Sequence, residues 1–583
     1  MKNQTFGIRK NEGPDKLLSL EEAVAKYIRP GMVLHIGDSA NAIVRHVIRR
    51  FWGSKPDFTV IASSAEDYVL DMVHARQVKK LIFALCSESY PTRGPSKVMQ
   101  RAFRENTIQI ENWSLHTIVQ MLMAGAMGLP CMPTRSLLDT TNAKDNIGSF
   151  MEMRDPFGSG ERIGLVKSLH PDLSLIHALA ADRAGNLIPA PSSSSGQGVW
   201  GALASKEGVL VTTEKIVSTD FLRRYSHMVQ IPSYLVKSVS LGPQGAHPQG
   251  LFNLGIRGID SYGADYEFME KHRQSSSRRE DLEAWIEEWV RECPSHDDYL
   301  QKLGSVRLHQ LKDTHRSFSS KMRVLPAPSL DKPFNATERM IVVAARKIIE
   351  RLNEAQHVTV LTGTGIAMLA SWLAYYQIRD ERSEVQLVTG AGLFGYTPSP
   401  GEPQRAGSVS NMKTAKILSD VSHMYGVFIT GENNRCISVL GTAQIDQWGN
   451  MNTSRLPGNL FLTGGGGAGD AINAREVLVV SHQSKERFVN KVEYITCPGR
   501  KVRTLVSDKG LFEKQRGENE EFVLTGFYSL TKDSSGSEEI AQIKSECGWK
   551  LKVSQNIKEI PPPYPEEITL LRRLDPKGIF IGN

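Results

Sequence analysis

The chain has 583 residues, of which 40% are hydrophobic and 23% charged, and it carries a formal net charge of +7. That is too long for one ordinary core, so two or three soluble domains are expected. The positive charge is spread along the chain, and no basic stretch is interleaved with aromatics; this argues against a nucleic-acid partner and fits attraction to small anions such as phosphates. Cys86, Cys131, Cys293, Cys436, Cys497 and Cys547 lie far apart with no C-x-x-C pair, so they read as reduced thiols of a cytoplasmic protein with no metal site.

Met1 to Lys16 is polar and has no apolar signal core. Leu18 to Ile28 has helical spacing and ends at Pro30-Gly31; Met32 to Ile36 reads as a strand, Gly37-Asp38-Ser39 as a turn, and Ala42 to Phe51 as a helix. A second apolar strand, Leu81 to Leu85, runs into Cys86-Ser87-Glu88-Ser89, and Glu111 reads as a helix-start residue. The most apolar segment, Thr117 to Met132, is broken by Gln120 and Pro130 and is too short to span a bilayer, so it reads as a buried helix and no membrane partner is expected. Leu173 to Ala180 is a strand followed by the turn Asp182-Arg183-Ala184-Gly185-Asn186. Pro191 to Gly196 is a loop, flexible or an active-site lid, and Ser275 to Cys293 and His296 to Lys302 are charge-rich amphipathic helices. Loss of periodicity and the prolines between His315 and Ala336 mark a linker, 315–336, separating domains at 1–314 and 337–583.

The second half repeats the first. Glu338 to Leu352 is a helix, His357 to Leu361 a strand, Gly363-Thr364-Gly365 a turn, and Met368 to Tyr376 a helix. Asp446-Gln447-Trp448-Gly449-Asn450 repeats the D-x-x-G-N turn after the strand Cys436 to Leu440. This double series predicts α/β architecture with two similar open domains and mostly parallel sheets, from an ancient duplication. After the strand Val385 to Val388 comes Gly390-Ala391-Gly392-Leu393-Phe394-Gly395, a G-x-G-x-x-G. Pro398, Pro400 and Pro403 follow at once and cannot open the helix on which a pyrophosphate would rest, so neither NAD nor a flavin is expected.

An ordered set of motifs then carries a family resemblance. In the second half it comprises Gly441-Thr442-Ala443-Gln444-Ile445-Asp446, Thr463-Gly464-Gly465-Gly466-Gly467-Ala468, Glu486 to Lys491, and Tyr494 to Gly499. In the first half it comprises Gly245-Ala246-His247-Pro248, Ala126 to Pro130, and Asp297 to Leu308. The second half resembles the β subunit of glutaconate CoA-transferase and the first half its α subunit, joined in one chain. The resemblance implies paired open α/β domains with the active site between them. It also implies an acyl-CoA substrate, with or without a carboxylic acid acceptor, and a homo-oligomer, with a dimer of fused units as the simplest assembly. Gly441, Ala443, Gln444, Gly464, Gly465, Gly466, Gly467 and Ala468 become the implied CoA-binding residues. A glycine run by itself is either a mobile loop or a cradle in which backbone N–H groups meet an anion.

The family's nucleophile is a glutamate in Glu-Ser-Gly, and that position falls on Gly390, with the serine on Ala391. Such a glutamate attacks the thioester carbonyl, forms an acyl anhydride and then carries CoA; glycine can do none of this. Donors that stabilise an oxyanion still stabilise a thioester enolate, by ~2.7–4 kcal/mol for one donor. Three functions therefore stay open: CoA transfer, decarboxylation or carbon–carbon cleavage through an enolate, and non-catalytic CoA binding. The acid used by ring-opening hydrolases of this fold falls near Leu115, beside His116, and the cysteine of its decarboxylases is also absent. Glu88, Ser87 and Ser89, at a strand end, and His247 are the candidate catalytic replacements, each with a solvated-turn or structural alternative. Asp470 is a further acid beside the glycine run, and Glu402 is the first acid after Gly390.

Overall fold

The computed structural model describes residues 12–37, 39–191, 196–320, 331–399, 407–458, 460–514, 521–529 and 536–582. Asp38, Glu402, residues 192–195 of the serine loop and 321–330 of the linker lie outside the described residues.

Two large sheets organise the chain. The first runs in the order Val236–Leu241, Gly208–Thr213, Leu173–Ala181, Val33–Ile36, Phe58–Ala65, Val78–Cys86, Gln109–Asn112, each pair along this order parallel, and Leu187–Pro189 adds an antiparallel strand to Leu173–Ala181. Leu173–Ala181 is buried at every residue, as a strand covered on both faces by helices must be. The second sheet has a parallel centre, Gln386–Val388, Thr359–Thr362, Cys436–Gly441, Glu476–Val480, Val502–Val506, extended on each side by antiparallel strands. The mostly parallel α/β architecture read from the sequence is thus present twice.

The duplicated turns are alike in detail. Asp182 Oδ1 accepts from the N–H of Ala184 at 3.0 Å and of Asn186 at 2.9 Å, and Asp446 Oδ1 accepts from Trp448 and Asn450, both at 3.0 Å. In each, the asparagine amide donates to Oδ2, and the glycine takes positive φ, 94° at Gly185 and 78° at Gly449.

Three boundaries differ from expectation. The apolar segment at 117–132 is a helix only over Leu115–Ala126, opened by a Ser114–Thr117 capping box and ended by Gly128 at φ 69°. Cys131–Thr134 beyond it is a strand paired with Arg162–Lys167. Glu111 lies in a strand, paired with Lys80 at 2.5 Å, and a helix continues over Ser305–Ser320, past the expected linker start at 315.

The glycine run of the second half is sewn onto the strand ends of the first. Gly466 N–H donates to the Ala84 carbonyl and Gly465 N–H to Asn112 Oδ1, both at 2.9 Å; Cys86 N–H donates to the Thr463 carbonyl at 2.9 Å and Leu115 N–H to that of Gly466 at 3.0 Å. Phe461 packs edge-on against Phe83, with centroids 5.6 Å apart, inside the first core. Asp470 closes the seam: Oδ1 accepts from the hydroxyls of Ser114 and Ser136, both at 2.6 Å, and Oδ2 from the N–H of His116 at 3.0 Å.

Complete burial of Asp470 outweighs those bonds and pushes its carboxyl from 3.8 to about 6. The folded chain therefore holds a proton in a window where the unfolded chain has released it. The stabilisation from the protonated form is complete below pH 3.8 and is lost as the pH rises through about 6. Urea unfolding of wild type and Asp470→Asn from about pH 4 to about pH 7 should show wild type losing stability relative to the amide, by at most ~1.4 kcal/mol per pH unit. A difference independent of pH would contradict this.

Candidate active site

Between the two sheets lies a cavity of about 460 Å³. Its walls come from the C-terminal strand ends of the second sheet, Leu361-Thr362, Thr389-Gly390 and Leu440-Gly441, and from Ser64 and Leu85 at strand ends of the first. Open parallel sheets form ligand sites at such ends, where the order of strands reverses. Gly464 to Gly467 and Ala468 form another wall. Gly465 and Gly466 spend their N–H groups on the seam and Gly464 donates to the Thr453 carbonyl at 3.1 Å; among the described residues no acceptor engages the N–H of Gly467 or Ala468.

The charges that line this cavity are those of Arg93 and Arg487; no aspartate or glutamate is among its described lining residues. A second chamber of about 230 Å³ shares Arg93, Arg487, Gly441 and Thr442 with it and adds His482. A third, about 100 Å³, shares Ser64 and Gly407 and adds Asn41, Glu66, Gln249 and Tyr266. Glu66 is held by Arg93 at 3.3 Å and by the hydroxyl of Ser87 at 3.3 Å. The arrangement is an elongated cleft, cationic at one end and polar at the other, with glycine backbone between.

Tyr425 fills the place of the missing side chain at Gly390. A Cβ on Gly390 would stand 1.9 Å from the Tyr425 hydroxyl oxygen, and one on Gly467 would stand 2.0 Å from it. Neither glycine has positive φ, so space and not backbone conformation demands glycine at both places. Tyr425 is 4% exposed, lines the cavity, and sits in the π-helical turn Met424–Ile429. Burial pushes its phenol up, the nearby Asp470 adds to this and Arg93 opposes it, so the group stays protonated.

The structure distributes the sequence candidates unevenly. Gly441, Ala443, Gly464, Gly465, Gly466, Gly467 and Ala468 all line the cavity, whereas the Gln444 side chain bonds the Glu486 carbonyl and Asn452. Glu88 is buried beside the cleft wall, accepting from Lys97 N–H at 3.0 Å and the Ser276 hydroxyl at 3.4 Å, and burial raises its pKa. Ser89 donates to Asp67 at 2.7 Å. His247 is buried elsewhere, 2.6 Å from the Tyr299 hydroxyl and 3.0 Å from Asp265, and burial lowers its pKa. None of Glu88, Ser87, Ser89 and His247 lines any of the three chambers. Sequence reasoning missed Arg93 and Tyr425; Arg487 lies within one of the family motifs, where its position alone gave it no role.

Comparison with known proteins agrees with this geometry. The family model for coenzyme A transferase matches residues 17–242. Glutaconate CoA-transferase from Acidaminococcus fermentans consists of separate chains, and one of them is 28% identical over 325 residues, covering 51% of this chain and 94% of its own length. The other is 26% identical over 259 residues, covering 40% of this chain and 91% of its own length. An acyl-CoA transferase structure from Escherichia coli O157:H7 superposes with a TM-score of 0.65 at 14% identity, over 95% of this chain and 96% of that one, which establishes the shared fold. The first half of the chain thus matches the coenzyme A transferase model, and the polypeptide carries regions similar to both kinds of glutaconate CoA-transferase chain.

Contact at position 390 sets a test. Gly390→Ala should destabilise the fold by ~1–3 kcal/mol through overpacking against Tyr425. In a Tyr425→Ala background the same change should cost less, with a coupling energy of ~0.5–3 kcal/mol in a double-mutant cycle read by chemical unfolding. Additive effects would show that the two positions do not compete for space.

Proposed function

We propose that the chain processes an acyl-CoA thioester in the cleft by enolate chemistry, without a carboxylate nucleophile at the family position. The observation that carries this reading is that the space beside Gly390 is filled by a phenol, while the described cavity wall offers two arginines and no carboxylate. Arg93 and Arg487, with the second chamber, suit the CoA diphosphate, because a guanidinium bonds phosphate oxygens with charge assistance. The thioester carbonyl then sits by the glycine wall, and the acyl chain reaches toward Asn41, Gln249 and Tyr266.

In this reading a carbon–carbon bond β to the thioester breaks, and its electron pair moves to the α-carbon and onto the carbonyl oxygen. Where the α-carbon carries a carboxylate, the departing fragment is CO₂; where it carries an acyl group, water adds to that second carbonyl and the fragment leaves as a carboxylic acid; in both cases the α-carbon then takes a proton. No oxidant or reductant is consumed. What the chain contributes is anion binding and donors for the developing oxyanion. The partners are an acyl-CoA and, for the chain itself, a second copy.

Two outcomes are expected. Incubation with dicarboxylic and 3-oxoacyl-CoA thioesters, followed by mass spectrometry, should release CO₂ or a cleaved acid without CoA exchange into added free acids. Exchange accompanied by a hydroxylamine-sensitive CoA adduct on Glu402, Glu88 or Asp470 would overturn the reading in favour of transfer through a relocated acid. Arg487→Ala should weaken CoA binding about tenfold or more by calorimetry, since a hydrogen bond to a charged group contributes ~1.5–3 kcal/mol. Unchanged affinity would remove Arg487 from the phosphate site.

A further inference from the structure

We propose that Tyr425 is a catalytic residue whose hydroxyl donates a hydrogen bond to the thioester carbonyl oxygen, standing where a side chain at position 390 would otherwise be. The inference rests on the acyl-CoA reading above and names the group that serves it.

Three independent features of the molecule meet at this hydroxyl. Two glycines from separate segments, the strand-end turn at Gly390 and the run at Gly467, both leave it room, and neither needs glycine for its backbone angles. A single glycine beside a ring is ordinary packing; two that converge on one oxygen mark a position cleared for it. Next, among the described residues nothing hydrogen-bonds this hydroxyl, although the residue is 4% exposed and faces the cavity. Buried tyrosine hydroxyls usually find a partner, and this one instead opens its oxygen to the cavity, since it is not among the fully buried unpartnered polar atoms. Tyr396 bonds Thr362 and Trp372, each at 2.9 Å, and Tyr262 bonds Glu214 at 2.9 Å, whereas the hydroxyl of Tyr90, outside the cavity lining, shares with Tyr425 the lack of a partner among the described residues. Finally, the side chain hangs from a π-helical turn, a rare backbone form that recurs at functional sites. Here it projects between the two sheets, with the Thr430 hydroxyl bonded back to the Tyr425 carbonyl.

The ligand class that completes this geometry is an acyl carbonyl carrying developing negative charge. A neutral phenol can only strengthen its bond to such an oxygen as the charge grows, which is the condition for lowering a barrier and not merely binding tightly. The proton stays on the phenol throughout. Arg93 lines the same cavity, close enough for its charge to act on the phenol.

The test uses the full chain and acetyl-CoA labelled with ¹³C at the carbonyl. Calorimetry gives its affinity for wild type and Tyr425→Phe, and difference infrared spectroscopy gives the carbonyl stretch in each complex. Wild type should shift the bound carbonyl to lower frequency; Tyr425→Phe should abolish most of that shift while the Kd changes by no more than about tenfold, the loss of one hydrogen bond at most. Replacement of Tyr425 by 3-fluorotyrosine, a stronger donor of nearly the same shape, should enlarge the shift. If acetyl-CoA binds wild type but the band is the same in all three proteins, Tyr425 does not touch the carbonyl, and the acyl-CoA reading survives without it. If wild type does not bind acetyl-CoA, that reading falls and this one with it.

Discussion

Close approach of the glycine run to the first sheet is the constraint on which the rest of the architecture depends. A Cβ on Gly464 would lie 2.7 Å from the Ala84 carbonyl oxygen, and one on Gly465 would lie 2.8 Å from that of Trp113. Backbone must therefore meet backbone across the seam, and it does so through the four hydrogen bonds that join Thr463 to Gly466 with Ala84, Cys86, Asn112 and Leu115. With that contact fixed, the C-terminal strand ends of both sheets face one another and enclose the cleft. Asp470, one helical turn beyond the run, locks the same seam from behind through Ser114 and Ser136.

The same closeness decides the chemistry. A side chain at 390 and the Tyr425 phenol cannot occupy one space, so this chain has either a group anchored at 390 or a phenol delivered from the π-helical turn, and it has the phenol. A glutamate placed at 390 would collide with the ring unless Tyr425 also changed. Of the cavity's two arginines, Arg93 is paired with Glu66 at 3.3 Å, while Asp470 is committed to the seam.

Much of the fold was legible because parallel strands, turn residues and helix caps are local signals. The paired D-x-x-G-N turns exposed the duplication, and Asp182 and Asp446 make the same bonds in both. The glycine run and Gly441 could be assigned to the cleft only through the resemblance carried by the ordered motifs, since a glycine run by itself is equally a mobile loop. Tyr425 could not. Its role comes from a long-range meeting of three segments, and nothing around Met424-Tyr425-Gly426 in sequence distinguishes it from core. His247 shows the reverse error of scale: a histidine in a conspicuous turn sits in a closed network with Tyr299 and Asp265. Asp470 was noticed as an acid beside the glycine run, but which way it faces depends on Ser114 and Ser136, far away in the chain.

The central claim, a thioester carbonyl served by a phenol in place of a carboxylate, is tested most directly by a crystal structure of the chain with 2-oxopropyl-CoA, a ketone that keeps the carbonyl but cannot release CoA. The account expects the ketone oxygen about 2.6–3.0 Å from the Tyr425 hydroxyl, with the diphosphate at Arg487. A carbonyl carbon seated instead against a carboxylate oxygen, whether of Glu402, Glu66 or Glu88, would contradict it.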